Sequence, residues 1–182
     1  IAQFVWADAE WQSSNPSFAF EHWRAGGAFT FFINAANRAR IAERWTDAAL
    51  LARIAVGIAP DAMRAEAHYV LADALAGLSA NDSEALRELE RAIELTRDPE
   101  LLSTILSRKG ELLAAQGNHP AALELFDQAM QIAPLDARPR TDYARTLLQF
   151  QPEARDRAAE LLQQSIALAP WYSLAYVTLA ET

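Results

Sequence analysis

Three histidines are the residues of this chain best equipped to hold a metal ion or to move a proton near neutral pH, and their placement argues against both tasks. His22, His68 and His119 lie far apart. None has a second histidine three or four residues away, the spacing that puts two imidazoles on one face of a helix. His119 falls in a turn just ahead of Pro120, and His68 inside an apolar helical pattern. The densest carboxylates, Glu84, Glu88, Glu90 and Glu94, alternate with Arg87 and Arg91 at helical spacing. That reads as a solvated helix face with mild ion pairing rather than as an acid and base pair. No Gly-x-Ser-x-Gly elbow, no histidine–glutamate zinc motif and no glycine-rich nucleotide loop occurs. With no cysteine, disulfides, thiolate zinc sites and thiol nucleophiles are excluded. The residues point to no catalytic group, no metal and no cofactor.

The chain has the material to fold: 182 residues, 52% hydrophobic and 22% charged. Sixteen basic against 24 acidic residues give a net charge of −8, which opposes binding to phosphate backbones and anionic lipid surfaces. Nucleic acid is therefore not an expected partner. The longest weakly polar stretch, Ala25 to Ala36, is too short to span a bilayer and is interrupted by Thr30 and Asn34. No direct membrane span and no cleavable signal is expected in this sequence. Cytoplasmic and extracytoplasmic locations both stay open. The chain begins at Ile1 without methionine and ends at Thr182 inside an apolar helical pattern, so it reads as a fragment of a longer protein.

The elements that must position any functional group are helices in pairs. From Ser103 to Asp136 the chain carries Leu106, Gly110 and Leu113, then a Gly117-Asn118-His119-Pro120 break, then Ala122, Phe126, Ala129 and Pro134. Apolar and small residues at helical spacing on both sides of the break predict two short helices folded back on each other. The unit recurs. Downstream, Tyr143, Ala144 and Leu147 precede Ala158, Leu162 and Ser165, with Pro152 expected to start the second helix. Upstream, Leu71, Ala72 and Leu75 precede Ala85, Leu89 and Ala92, after which Asp98-Pro99 forms a cap and first turn. Further back, Phe32, Ala35, Ala36 and Ala39 precede Ala48, Ala52, Ala55 and Pro60, while Tyr176, Leu179 and Ala180 open another unit at the end.

This pattern resembles the tetratricopeptide repeat, with Leu-Gly, Ala-x-x-x-Phe and Pro at fixed offsets in a unit of about 34 residues. Lys109 stands where the family prefers Leu, Leu106 and Leu113 stand in for aromatics, Arg140 for a bulky residue and Arg97 for the proline. The resemblance covers residues 29–182. It implies an all-α fold, a right-handed superhelical stack of antiparallel helix hairpins at about 29–64, 65–102, 103–136 and 137–172, with a partial unit over 173–182. Small residues let two helix axes approach to about 8–9 Å, and each hairpin covers its apolar face by stacking on the next. The unfinished last unit is expected to leave Tyr176, Val177 and Leu179 as an exposed apolar patch or a self-contact. Residues 1–28 hold Phe4, Trp6, Trp11, Phe18, Phe20 and Trp23. They read as an aromatic N-terminal segment capping the first hairpin, with an aromatic belt beside a membrane span or a partner-binding tag as the other reading. Gly26-Gly27 is expected to end a helix begun at Asn15-Pro16.

The resemblance also implies a concave groove, lined by the second, fifth, ninth and twelfth positions of each first helix. These are Thr30, Ile33, Asn37 and Arg40; Glu66, Tyr69, Asp73 and Ala76; Thr104, Ser107, Glu111 and Ala114; and Arg138, Thr141, Arg145 and Leu148. One subtype of the family clamps the carboxylate end of chaperone tails through five positions, of which only Asn37 and Arg108 match; Ile33, Val70 and Thr104 occupy the others, so that clamp is not expected. The candidate partner-binding set is Asn37, Arg40, Glu66, Tyr69, Asp73, Arg108, Glu111, Arg138 and Arg145. An extended peptide is expected there, with cationic residues opposite Glu66, Asp73 and Glu111 and a carboxylate near Arg145. The implied function is a non-enzymatic scaffold for a protein or peptide partner. The alternatives are a soluble accessory region of a larger enzyme, such as a membrane-embedded glycan polymerase or transferase, and a structural spacer that self-associates through its terminal helices.

Overall fold

A computed structural model describes residues 27–78 and 82–182. The aromatic segment expected to cap the first hairpin, and Gly26, lie outside the described residues. All regular structure among the described residues is helical, and the chain divides into two compact units between Leu95 and Thr96.

The first unit holds α1 (Ala28–Ile41), α2 (Trp45–Ile58), a 3₁₀ turn (Asp61–Met63), α3 (Arg64–Ala76) and α4 (Asp82–Leu95). Each helix packs on the next, and α1 also touches α3, so first helices of successive pairs lie side by side. Alanine makes this stacking close: Ala36, Ala48, Ala52, Ala55, Ala67, Ala72, Ala85 and Ala92 are wholly inaccessible. Gly77 serves the same end, because a Cβ there would overlap the Trp45 indole. The face expected to be solvated on α4 has one exception. Glu88 is buried, within 2.6 Å of His68 Nδ1 on α3 and 2.7 Å of Arg91.

The second unit holds α5 (Pro99–Ala115), α6 (His119–Ile132), α7 (Arg138–Phe150), α8 (Arg155–Leu168) and α9 (Ser173–Ala180). α5 starts as its sequence dictates: the Asp98 carboxylate accepts the Glu100 N–H at 3.0 Å, and Pro99 occupies the first turn, where its missing N–H is not needed. α5 is followed by Gly117, whose φ of +82° suits a residue without a Cβ. There the Asn118 N–H reaches back to the Leu113 carbonyl at 2.8 Å. His119 is the first residue of α6 rather than part of the turn, and its ring stacks on Phe150 with centroids 5.3 Å apart. Pro152 does not begin α8. It lies in a turn closed by the Ala154 N–H on the Gln151 carbonyl, and the helix starts at Arg155.

In this unit α5 packs on α6, α6 on α7, α7 on α8 and α8 on α9, while α7 also meets α5 and α9. Ala144, Leu147, Ala158, Leu161, Leu162 and Ala175 form a core cluster that Tyr172 and Leu179 join. Leu179 therefore turns inward, and Trp171, Tyr176 and Val177 are the exposed apolar residues at this end. Thr141, expected to face the groove, is wholly buried instead. Its hydroxyl pairs with Ser165 Oγ at 2.8 Å, and Ser165 in turn donates to the Ala137 carbonyl at 2.9 Å. Ser103 Oγ donates likewise to the Ala129 carbonyl at 3.2 Å, binding α5 to α6.

At one close crossing in this unit Gly110 meets Phe126, where an added Cβ would lie 2.7 and 2.9 Å from two ring carbons of a fully buried side chain. Gly110→Ala gains about 1 kcal/mol of helix propensity but overpacks the core. We expect a net loss of about 1–2 kcal/mol in denaturant unfolding, partly recovered by adding Phe126→Leu. A gain in stability from Gly110→Ala alone would show that the crossing is not limiting.

Candidate functional site

The candidate site residues lie on the first helix of each pair, and each unit assembles its own cluster. In the first unit Arg40 of α1 meets Asp73 of α3 in an ion pair. Asp73 is buried, so its carboxylate is matched inside the protein instead of lining an open acidic surface. Asn37 lies one turn before Arg40, and its Oδ1 is buried without a hydrogen-bond partner. Ile33, at another expected lining position, is buried in the core. Glu66 is exposed in the first turn of α3, and Tyr69 is half-buried on the same helix.

The second unit holds the denser cluster. On α5, Arg108 donates to Glu111 at 2.6 Å. From α7, Arg145 reaches Glu111 and Asp142, both at 3.3 Å. Arg138, at the start of α7, chelates Asp136 and donates to Thr104 Oγ1 on α5 at 3.0 Å. Four expected site residues of this unit, Arg108, Glu111, Arg138 and Arg145, thus fall at one α5–α7 junction. Ser107, one turn before Glu111, has a buried hydroxyl without a hydrogen-bond partner.

Two residues of this cluster escaped the sequence reading. Asp142 is buried, and its carboxyl is pushed up to about 7, first by burial and then by the neighbouring Glu111 carboxylate, against the opposing pull of Arg145 and Arg138. Tyr172, in the turn before α9, is pushed up to about 12 by burial and by Asp142. The signal for Asp142 was present in its place three residues before Arg145 and four after Arg138 on one helix. Its burial depends on α5, which no local pattern reveals.

Among the described residues no group of three or more metal-binding side chains occurs, and no helix is long and apolar enough to cross a membrane. No protein-family model matches the chain, and no curated protein matches it. Solved structures do. YrrB, described as a TPR protein with an unusual peptide-binding site, is 21% identical over 97% of this chain and 90% of its own, with a TM-score of 0.61. PilF of Pseudomonas aeruginosa is 20% identical over 85% of this chain and 67% of its own, with a TM-score of 0.69. MamA of Desulfovibrio magneticus RS-1 is 18% identical over 86% and 84%, with a TM-score of 0.62. At such identities the likeness is one of fold.

The Asp142 proton has a consequence for stability. The folded chain holds it up to about pH 7, whereas an unfolded chain releases it near 3.8. Across that interval the folded state binds more protons, so this group makes stability fall as pH rises. The gain in stability from Asp142→Asn should therefore grow with pH, from about 1–2 kcal/mol at pH 5 to about 4 kcal/mol at pH 8, read from urea midpoints. Parallel pH profiles for parent and variant would contradict the assignment.

Proposed function

We propose that this chain, which has the tetratricopeptide-repeat fold, is a non-catalytic scaffold that holds a peptide or protein partner on the faces made by its first helices. The observation that carries the reading is the α5–α7 junction. Arg108, Glu111, Arg138 and Arg145 lie together there, partly exposed, on helices that pack side by side. Side chains held in place by one another present hydrogen-bonding groups at little further entropic cost, which favours recognition of an extended backbone. A structural neighbour described as carrying a peptide-binding site supports the same reading.

The charges revise the expected mode of binding. Asp73 is engaged by Arg40, and Glu111 by Arg108 and Arg145, so two of the three carboxylates expected to attract a cationic peptide are matched internally. Glu66 alone of the three is exposed. Charge reversal at Asp73 would break a buried pair and unfold the site rather than test it.

Selection of peptides from a random display library, followed by amide-shift mapping, tests the proposal. Selected peptides should shift residues on α5 and α7. Arg145→Glu should weaken them by tenfold or more, about 1.4 kcal/mol, and Glu124→Lys on α6 should leave them unaffected. Peptides that map to α6 and α8 instead would overturn it.

A further inference from the structure

In a chain of net charge −8, α7 is a cationic helix, carrying Arg138, Arg140 and Arg145 against the single carboxylate Asp142. Its three guanidinium groups are not equally committed. Arg140 donates to the backbone carbonyls of Asp136 and Pro134 at 2.8 and 2.9 Å and so ties down the loop from α6. Arg138 keeps Asp136 close while its side chain remains half exposed. Arg145 is held most loosely. Its two ion pairs are both 3.3 Å long, and one of them is to a carboxylate that Arg108 already binds at 2.6 Å.

Arg138 and Arg145 are seven residues apart, two turns of one helix, which places them on the same face about 10 Å from each other along the axis. Carboxylates on an extended chain recur about 7 Å apart at every second residue and about 13–14 Å at every fourth, a range that two flexible arginines can bracket. A planar guanidinium fork matches a carboxylate with two parallel hydrogen bonds. Resting on the scaffold reading above, we infer that Arg145 and Arg138 form a subsite for carboxylate side chains of an acidic peptide segment, and that Asp142 competes internally for Arg145, so that capture takes up a proton.

The competition follows from the groups around Asp142. From α5 come the Glu111 carboxylate and, beside it, Arg108; from α7 itself Arg145 and Arg138; from the preceding loop Asp136; and from the turn before α9 the Tyr172 phenol. On another side of α7, Asp127 and Arg157 act on Tyr143. When Arg145 turns toward a ligand carboxylate, Asp142 loses the cation that stabilised its ionised form while burial and Glu111 remain. It then takes a proton from solvent, and the ligand becomes the counter-ion. Protonation of Asp142 at about pH 7 places this exchange near neutrality. Binding therefore tightens as pH falls from about 8 to about 6, and weakens again only where the ligand carboxylates themselves protonate, near 4.3 for glutamate.

The test uses the full chain and a short, end-blocked peptide of alternating glutamate and glycine, titrated by calorimetry in buffers of different ionisation enthalpy and by amide shifts. We expect affinity about tenfold higher at pH 6 than at pH 8, a coupling within the usual range, with net proton uptake near pH 7. Arg145→Gln should abolish most of the binding, and Asp142→Asn should bind equally well at both pH values. Binding independent of pH, pH dependence retained in Asp142→Asn, or full affinity in Arg145→Gln would each overturn the inference. A lysine–glycine peptide of equal length separates it from the scaffold reading. If that peptide shifts α5 and α7 and the acidic one does not, the carboxylate subsite fails and the scaffold stands. If neither shifts them, both fail.

Discussion

The structure depends on how closely two helices can approach when one side chain is removed from the contact. At Gly110 the α5 backbone comes so near Phe126 that a methyl group would displace the ring, and Gly77 yields in the same way to Trp45. Elsewhere alanine does the work, with Ala122 and Ala129 flanking Phe126 at zero accessibility. Close approach matters because a helix of 13 to 17 residues is marginal alone and gains its stability from tertiary packing. Because small residues occupy the mating faces, the two first helices of each unit can keep polar residues on another face and lie side by side. The candidate site of each unit is that other face.

Much of this was legible in the sequence because the constraints are local and steric. The Asp98-Pro99 pair specifies a cap and a first turn from two adjacent residues, and α5 begins there. Gly117 marks a position where the chain must enter the left-handed region, and it does. Phe126, Leu162, Ala122 and Ala158 fall at helical spacing and are all inaccessible. Where local rules compete, the sequence was less clear. Pro152 is compatible with a helix start and with a turn, and the turn prevailed because α7 runs on to Phe150 and leaves Gln151 to close it. Glu88 shares its helix with more exposed glutamates, and its buried carboxylate is matched by His68, twenty residues away on α3, as well as by Arg91.

The candidate site was legible as a set of positions but not as an electrostatic arrangement. Helical spacing brings Arg108 to Glu111 on one helix, yet only the packing of α5 on α7 delivers Arg145 to that same carboxylate, 34 residues on. The pairing of Arg40 with Asp73 is equally remote in sequence. The acidic residues expected mid-groove and the basic ones expected on the last hairpin are thus partly paired within each unit, Asp73 with Arg40 and Glu111 with Arg108 and Arg145. Thr141 shows the opposite error: a polar residue at a lining position was used by the core, where Ser165 satisfies its hydroxyl.

Asp142 is the residue least explained by folding. A buried carboxyl beside a second carboxylate adds little to stability, since desolvation offsets what its ion pair returns. An apolar residue of similar size would pack between α5 and α7 without that penalty. The hydroxyl pairs at Thr141 and Ser165 differ, because their hydrogen bonds are complete within the protein and need nothing from outside. At the α5–α7 junction the contacts of Arg145 are long, the Asp142 carboxyl sits near its midpoint of ionisation at neutral pH, and the Ser107 hydroxyl lacks a partner. A ligand bound as proposed above would give the Ser107 hydroxyl a partner and offer Arg145 closer contacts than those it has. Stability alone would select against this chemistry; the partner recognition proposed above would account for it.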